Sequence, residues 1–418
     1  MAAGDFNLAA ASDILKEKYD DHEAYKILVA DDPFLGMLKR EEGVLVGKNF
    51  KFAIQYGTGR GVATTLAKAR AGKSTNPYTD VELHRGRLYG VGGIDRETME
   101  TAKSNKAAFV NGIDAEQDGL LHTMNERLID WAYKNGGGAI GVIGATTVVG
   151  TAILVLSDAA DAQNFQVDGI YELSATDGTS GAIETGSLTC VAVDRQAGTV
   201  TMSGNLTAGV ATAAVGQYVF PAGDHATHYA DSYGKRVAVG LDGWLPITAP
   251  GATPFFGIDR SKDPLRLGGC RYNGRGAPME ETLIKGLAEF SMQGATKIDT
   301  VLTSESRVAS LIVSLGNRCR FDTKVNPVTK VGFKGVEVVT SNGTVTVFGT
   351  PHCKSDRGYA LQLNTWRLLT MNKCPKFIDE DGLTIRRSRD GGDGFEWEMV
   401  GYLQFACNMP GKNGVFQW

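Results

Sequence analysis

The chain has 418 residues, of which 42% are hydrophobic and 22% charged, values that are ordinary for a soluble protein of two or three domains. Its formal net charge of −4 argues against a protein that coats nucleic acid through bulk positive charge. The 53 glycines, with frequent valine and threonine, indicate a turn-rich β component. The six cysteines are scattered without a C-x-x-C pair, as expected for reduced, buried thiols.

The first 47 residues are acidic, with ten acidic residues against five basic ones. A short helix is predicted from Asp13 to Val29, ended by the Asp31-Asp32-Pro33 sequence. The remainder is expected to be an extended arm with little core of its own. Because no basic stretch precedes an apolar one, no secretory signal peptide is predicted.

Residues 48–95 predict one long two-stranded hairpin. Phe50, Phe52 and Ile54 alternate with polar residues, which is typical of a strand. Residues 58–79 are rich in Gly, Ala and Thr and contain no acidic residue. Since an isolated hairpin is only marginally stable, it is expected to lie on another subunit. The hairpin carries four basic residues near its tip: Arg60, Lys68, Arg70 and Lys73.

The longest helical pattern runs from Lys106 to Asn135, and residues 136–138 that follow are all glycine. These glycines predict an exit from the helix through positive φ. Residues 136–157 are uncharged, but their Gly and β-branched content favours buried strands over a membrane span. The apolar face of the helix comprises Val110, Ile113, Leu120, Leu121, Met124, Leu128, Trp131 and Ala132. The opposite, polar side comprises His122, Glu126, Arg127, Asp130 and Lys134.

The pattern changes after this helix. Residues 148–256 predict a small inserted β domain, because short apolar strands alternate there with Asp-Gly and similar turns. Helices and strands then mix without a regular βαβ repeat, which predicts an α+β fold. Late in the chain, Phe395, Trp397 and Met399 alternate with glutamates and indicate a half-buried strand.

Motifs that carry chemistry are incomplete. Residues 67–74 nearly match a phosphate-binding loop, but Ala67 replaces the first required glycine, so a solvated basic tip is the better interpretation. His352, Cys353 and Cys374 do not have the spacing of a structural zinc site. We therefore predict no catalytic, cofactor-binding or metal-binding residue, and no enzyme activity.

The order of these segments resembles the major capsid proteins of tailed bacteriophages with the Hong Kong 97 fold. The closest resemblance lies in the C-terminal third, and the sequence and spacing of several motifs carry it. These motifs are residues 257–260 with 267–269, 331–336, 359–366, 381–383 and 404–413.

The resemblance implies a division of the chain into seven parts. These are an N-terminal arm (1–47), an E-loop (48–95), a peripheral domain with a spine helix (96–147), the inserted β domain (148–256), a second peripheral part (257–302), an axial domain (303–385) and a return strand with the C-terminus (386–418). The implied function is self-assembly of pentamers and hexamers into an icosahedral shell around the genome. It also implies a virion location and assembly in the cytoplasm of the bacterial host.

The implied partners are a separate scaffolding protein, a portal protein, packaged double-stranded DNA bound non-specifically and a decoration protein, with no membrane. The basic hairpin tip is expected to meet acidic residues of another subunit. The acidic candidates are Asp20, Asp21 and Glu23 in the arm, and Glu116 and Asp118 near the spine helix.

Two alternative functions remain open for this sequence. They are a cytoplasmic enzyme with a β-domain lid and another phage structural protein, such as a tail protein.

Overall fold

The computed structural model describes most of the chain beyond the N-terminal arm. The described residues are 32–47, 50–59, 61–96, 106–225, 237–295, 297–315, 320–325, 332–340, 343–379, 385–388 and 394–418. The predicted arm helix, the candidate contact residues Asp20, Asp21 and Glu23, and the candidate Arg60 lie outside these ranges.

Helices of very different length occur in the described residues, and only three of them exceed two turns. They are α1 (Pro33–Met37), α2 (Leu66–Ala71), α3 (Lys106–Tyr133), α4 (Leu206–Gly209), α5 (Leu241–Trp244), α6 (Met279–Gln293) and α7 (Glu305–Leu315). The strands group into four sheets, so the α+β prediction is confirmed.

The first sheet has six strands and is organised around the longest strand. They are β1 (Lys39–Glu41), β4 (Gly86–Asp95), β17 (Trp366–Thr370), β18 (Lys376–Phe377), β19 (Ile385–Arg387) and β20 (Gly394–Cys407). β20 pairs antiparallel with all of β4, from Gly394 opposite Asp95 to Leu403 opposite Gly86. Residues 86–95, predicted as the end of the hairpin, thus belong to a strand whose partner lies about 300 residues away in sequence.

The spine helix α3 packs on this sheet. Its length of 28 residues agrees with the predicted span. Leu121, Met124 and Leu128 are buried, as predicted. Gly90 of β4 allows the close approach, because a side-chain carbon there would lie 2.7 Å from the Met124 sulphur. Gly136 and Gly138 have φ of +80° and +90°, which confirms the predicted glycine exit.

The second sheet has seven strands, covered on one face by α6 and α7. Its strands, in spatial order, are β11 (Cys270–Asn273), β21 (Gly414–Gln417), β16 (Arg357–Leu361), β12 (Thr300–Thr303), β15 (Gly343–Gly349), β14 (Gly332–Thr340) and β13 (Arg320–Val325). Strands from the segment predicted as second peripheral part therefore share a sheet with strands of the predicted axial domain. The seven domain bounds remain predictions.

The inserted segment forms a third sheet with six strands. They are β5 (Gly141–Val142), β6 (Ile153–Val155), β7 (Ile170–Ser174), β8 (Leu188–Asp194), β9 (Thr199–Met202) and β10 (Tyr218–Pro221). Their spatial order is β5-β10-β7-β8-β9-β6, and an antiparallel bridge between Ile143 and Leu156 joins the two ends. The sheet therefore closes on itself around its own apolar core, which extends from Ile140 to Val219.

This core differs from the predicted inserted segment at both ends. It includes Ile140 and Ile143, which precede residue 148, whereas Val237, Ala238 and Val239 pack in the core of the main body.

We expect a fragment of residues 139–222 to melt cooperatively with a β-type circular dichroism spectrum. A fragment of residues 150–250 lacks β5 and should melt at lower temperature or not cooperatively. Equal melting of the two fragments would show that closure by β5 is unimportant.

Candidate assembly surfaces

The hairpin arm, residues 50–83, is fixed to the body at its base. Its two strands, β2 (Phe50–Gln55) and β3 (Tyr78–Leu83), pair antiparallel, and Ile54, Val81 and Leu83 are buried in the main core. The guanidinium of Arg266 donates a hydrogen bond of 2.7 Å to the Tyr56 carbonyl oxygen. The base of the hairpin arm is therefore buried in the core of its own subunit, which was not predicted from the sequence.

Beyond Tyr56 the arm separates from the body. A cleft of about 390 Å³ lies between the strand end and the turn around Met409 and Lys412. Residues 66–71 form the short helix α2, and none of its side chains is buried. The Thr65 side chain caps its first turn by accepting from the Lys68 amide at 3.5 Å. The tip thus has local order without a core.

Two large apolar side chains project from this tip. Val62 is 90% exposed and Leu66 is 68% exposed. Exposed apolar residues that cluster on a projecting element are typical of protein–protein contacts. Neither α2 nor this apolar pair was predicted from the sequence, although Thr65 can cap a helix and the Leu-Ala-Lys-Ala-Arg-Ala run favours one.

Three of the four predicted basic residues lie within the described part of the tip. Lys68, Arg70 and Lys73 are all exposed, and none of the ion pairs found among the described residues involves them. Glu116 and Asp118 are exposed on α3. No ion pair within the described part of the subunit joins these acids to the tip, so their pairing stays a prediction about neighbouring copies.

A second exposed surface lies on the first sheet, the one that contains β4 and β20. Gly90 faces α3, so the alternating residues Tyr89 and Val91 point away from the helix, and both are exposed. The Tyr89 ring stands edge-on to the Tyr402 ring with centroids 6.0 Å apart, and their hydroxyls are 3.1 Å apart. Burial and this hydrogen bond raise the pKa of Tyr402 to about 12. This face of the sheet is mixed, because Glu398 lies opposite Val91 and Arg87 lies opposite Tyr402.

The residues considered for chemistry are used structurally. The near match to a phosphate-binding loop lies mostly within α2, so its amides are not arranged as a phosphate cradle. Cys353 and Cys374 are buried free thiols, and burial raises the pKa of Cys374 to about 12. No group of three or more His, Cys, Asp or Glu that would suit a metal ion occurs among the described residues. Over the same ranges, each helix is too short or too polar to cross a membrane.

Comparisons with known proteins gave structural matches only. No protein-family model matches the chain, and no curated protein matches it. The cyanophage A-1(L) capsid asymmetric unit is 13% identical, with a TM-score of 0.49, over 93% of each chain. The satellite phage P4 procapsid, which includes a size determination protein, is 10% identical, with a TM-score of 0.40, over 96% of this chain and 90% of that one. The capsid of Myoviridae phage XM1 is 9% identical, with a TM-score of 0.35, over 91% and 90%.

The chain is similar over nearly its whole length to phage capsid proteins. The resemblance predicted from the sequence therefore agrees with these matches.

Proposed function

We propose that this chain is the major capsid protein of a tailed double-stranded DNA phage and assembles into pentamers and hexamers of an icosahedral shell. The hairpin arm carries this proposal. Its base is buried in the subunit, whereas its tip exposes Val62 and Leu66, and the capped helix at the tip has no buried side chain. Such an element gains stability only when another molecule covers it.

The size of that gain favours assembly. Burying an exposed valine or leucine side chain contributes about 1.5–3 kcal/mol, so the pair contributes a few kcal/mol for each arm. Because every subunit carries an identical arm, the same head-to-tail contact can repeat around a closed ring of one chain. Because the base is anchored, the tip is held at a fixed distance from the body, where a neighbouring subunit can cover it.

The finer arrangement follows from the family resemblance and is part of the proposal. Residues 48–95 act as the E-loop and 1–47 as the N-terminal arm, with α3 as the spine of a peripheral domain. Residues 303–385 act as the axial domain, and the inserted β domain is an accessory on the shell. Partners are a separate scaffolding protein, a portal protein, the packaged DNA and a decoration protein. The shell assembles in the cytoplasm of the bacterial host and becomes part of the virion.

Electron microscopy of the purified protein, and of lysate in which it is expressed, tests this function. Shells, or capsomers of five and six subunits, are the expected result. Tubes or rings of one symmetry would favour a tail protein instead. A small closed oligomer that turns over a substrate would favour the enzyme with a β-domain lid.

Reversal of charge at the tip should weaken assembly. The double variant Arg70→Glu and Lys73→Glu is expected to lower shell yield or particle melting temperature at low salt. Partly exposed ion pairs contribute only about 0–1 kcal/mol each, but they repeat in every subunit. The difference from the parent should shrink in 1 M salt, where the Debye length is about 3 Å.

A matched control changes charge equally elsewhere. Lys262 and Lys297 are exposed and lie outside the arm, so Lys262→Glu with Lys297→Glu alters net charge by the same amount. If both double variants behave alike at low salt, the effect is one of overall charge. If both equal the parent, the basic tip has no role in assembly.

A further inference from the structure

The end of the spine helix carries a buried charge cluster that the sequence analysis assigned to the solvent side. Lys134 has only 7% of its side chain exposed and lies between two carboxylates. Its ammonium is 3.6 Å from Asp130 of the same helix and 3.0 Å from Asp161 of the inserted segment. Asp161 belongs to a 3-10 turn, Ala159–Asn164, next to the closed sheet. The cluster therefore joins the closed sheet to the spine helix.

A second contact joins the same turn to the seven-stranded sheet. Asp158 accepts hydrogen bonds from the Ser355 amide at 3.2 Å and from the Ser355 hydroxyl at 2.9 Å. Ser355 stands two residues before β16, and its carbonyl oxygen accepts from the Arg307 guanidinium of α7 at 3.1 Å. Two residues further on, Arg357 forms an ion pair with Asp242. The turn at 159–164, together with Asp158 just before it, thus contacts both the spine helix and the segment that leads into β16 of the seven-stranded sheet.

A third contact fixes the orientation of the closed sheet. The side-chain amide of Asn135 donates a hydrogen bond of 2.6 Å to the Asp177 carboxylate. Gly137 lies so close to the Asp177 carbonyl that an added side-chain carbon would stand 1.9 Å from that oxygen. No other residue fits there, so the chain meets the closed sheet backbone to backbone. The closed sheet therefore contacts the rest of the subunit through two of its segments, the turn at 158–161 and the loop at Asp177.

Buried ion pairs are stable only in good geometry, because the desolvation of the charges offsets much of their attraction. A loosely attached accessory domain would not retain such a cluster. We propose that the inserted closed sheet is a brace that holds the spine helix and the seven-stranded sheet at a fixed angle, and so sets the shape of the subunit in the shell. The second clause rests on the proposed capsid function, whereas the brace itself does not.

Hydrogen exchange of the full chain tests the brace. Lys134→Met with Asp130→Asn and Asp161→Asn removes the whole cluster without leaving a buried charge unpaired. Ser355→Ala removes the hydroxyl hydrogen bond of the second contact. Each variant should raise amide exchange about tenfold in residues 350–357 as well as in 159–164. The conservative variant Lys134→Arg should leave amide exchange in both segments as it is in the parent. Lys285→Met, which breaks an exposed ion pair with Glu281, is the matched control and should change neither segment.

The outcomes separate the two proposals. Faster exchange confined to 159–164 would mean that the closed sheet is only docked, and the brace would be wrong. If the parent forms shells, the brace variants should form shells with a wider spread of diameters, and an unchanged spread would also contradict the brace. If the parent forms no shell, the capsid function fails, while the exchange of residues 350–357 still decides the brace.

Discussion

Deletion of residues 61–73 is expected to leave a folded subunit that no longer forms shells. No side chain of α2 is buried, so its removal takes nothing from the core. The stem remains anchored through Ile54, Val81 and Leu83. Loss of the tip contact, a few kcal/mol for each subunit, raises the concentration needed for assembly roughly a hundredfold or more. Thermal melting and sedimentation of the purified variant measure both effects.

Point variants separate the apolar contact from the length of the arm. Val62→Ser with Leu66→Ser keeps the arm intact and should reproduce most of the assembly defect. Thr64→Ser with Ala67→Ser makes the same number of changes at exposed neighbours and should assemble like the parent. Shells formed at normal yield by the deletion variant would remove the observation on which the proposed function depends.

Replacement of Asp32 by alanine is expected to cause the largest loss of subunit stability. Asp32 is fully buried and accepts hydrogen bonds from the Phe34 and Leu35 amides at 2.8 and 3.0 Å. The Tyr133 hydroxyl at the end of the spine helix donates to it at 2.9 Å, and the Thr350 hydroxyl does so at 3.2 Å. Alanine leaves these donors buried and unpaired, so we expect the free energy of unfolding to fall by about 2–4 kcal/mol.

Chemical unfolding of two further variants tests the cause. Thr65→Ala removes an exposed helix cap and should cost no more than about 1 kcal/mol. Burial raises the pKa of Asp32, so the fold favours its protonated form, and its contribution to stability falls as the pH rises above 3.8. Asp32→Asn, which stays neutral, should therefore improve relative to the parent between acidic and neutral pH. A constant difference over that range would contradict the burial argument.

Local patterns in the sequence predicted the elements whose stability is local. The spine helix agrees over 28 residues because its apolar repeat and terminal glycines lie within the helix itself. The alternation of Phe395, Trp397 and Met399 likewise predicted a strand in what became β20. In both cases the side chains that decide the structure are consecutive in the chain.

Long-range pairing was not predictable in the same way. Nothing local distinguishes β4 as a partner of β20 rather than the return strand of the hairpin, because that choice depends on residues 394–403. Asp130 and Lys134 follow the polar side of the helix, yet Asp161 from the inserted segment covers them. The candidate contact surface was predicted in part: its basic residues were identified from charge, whereas its helix and its apolar pair were not.

Closure of the inserted sheet has a consequence for a protein made in many copies. Strand β6 returns to the chain next to β5, with the Ser157 amide donating to the Val142 oxygen at 2.9 Å and the Gly144 amide donating to the Val155 oxygen at 2.8 Å. Each strand thus has two neighbours, and no row of free backbone groups is left to recruit a strand from another molecule. Closure thereby protects copies of this domain from edge-to-edge pairing with one another.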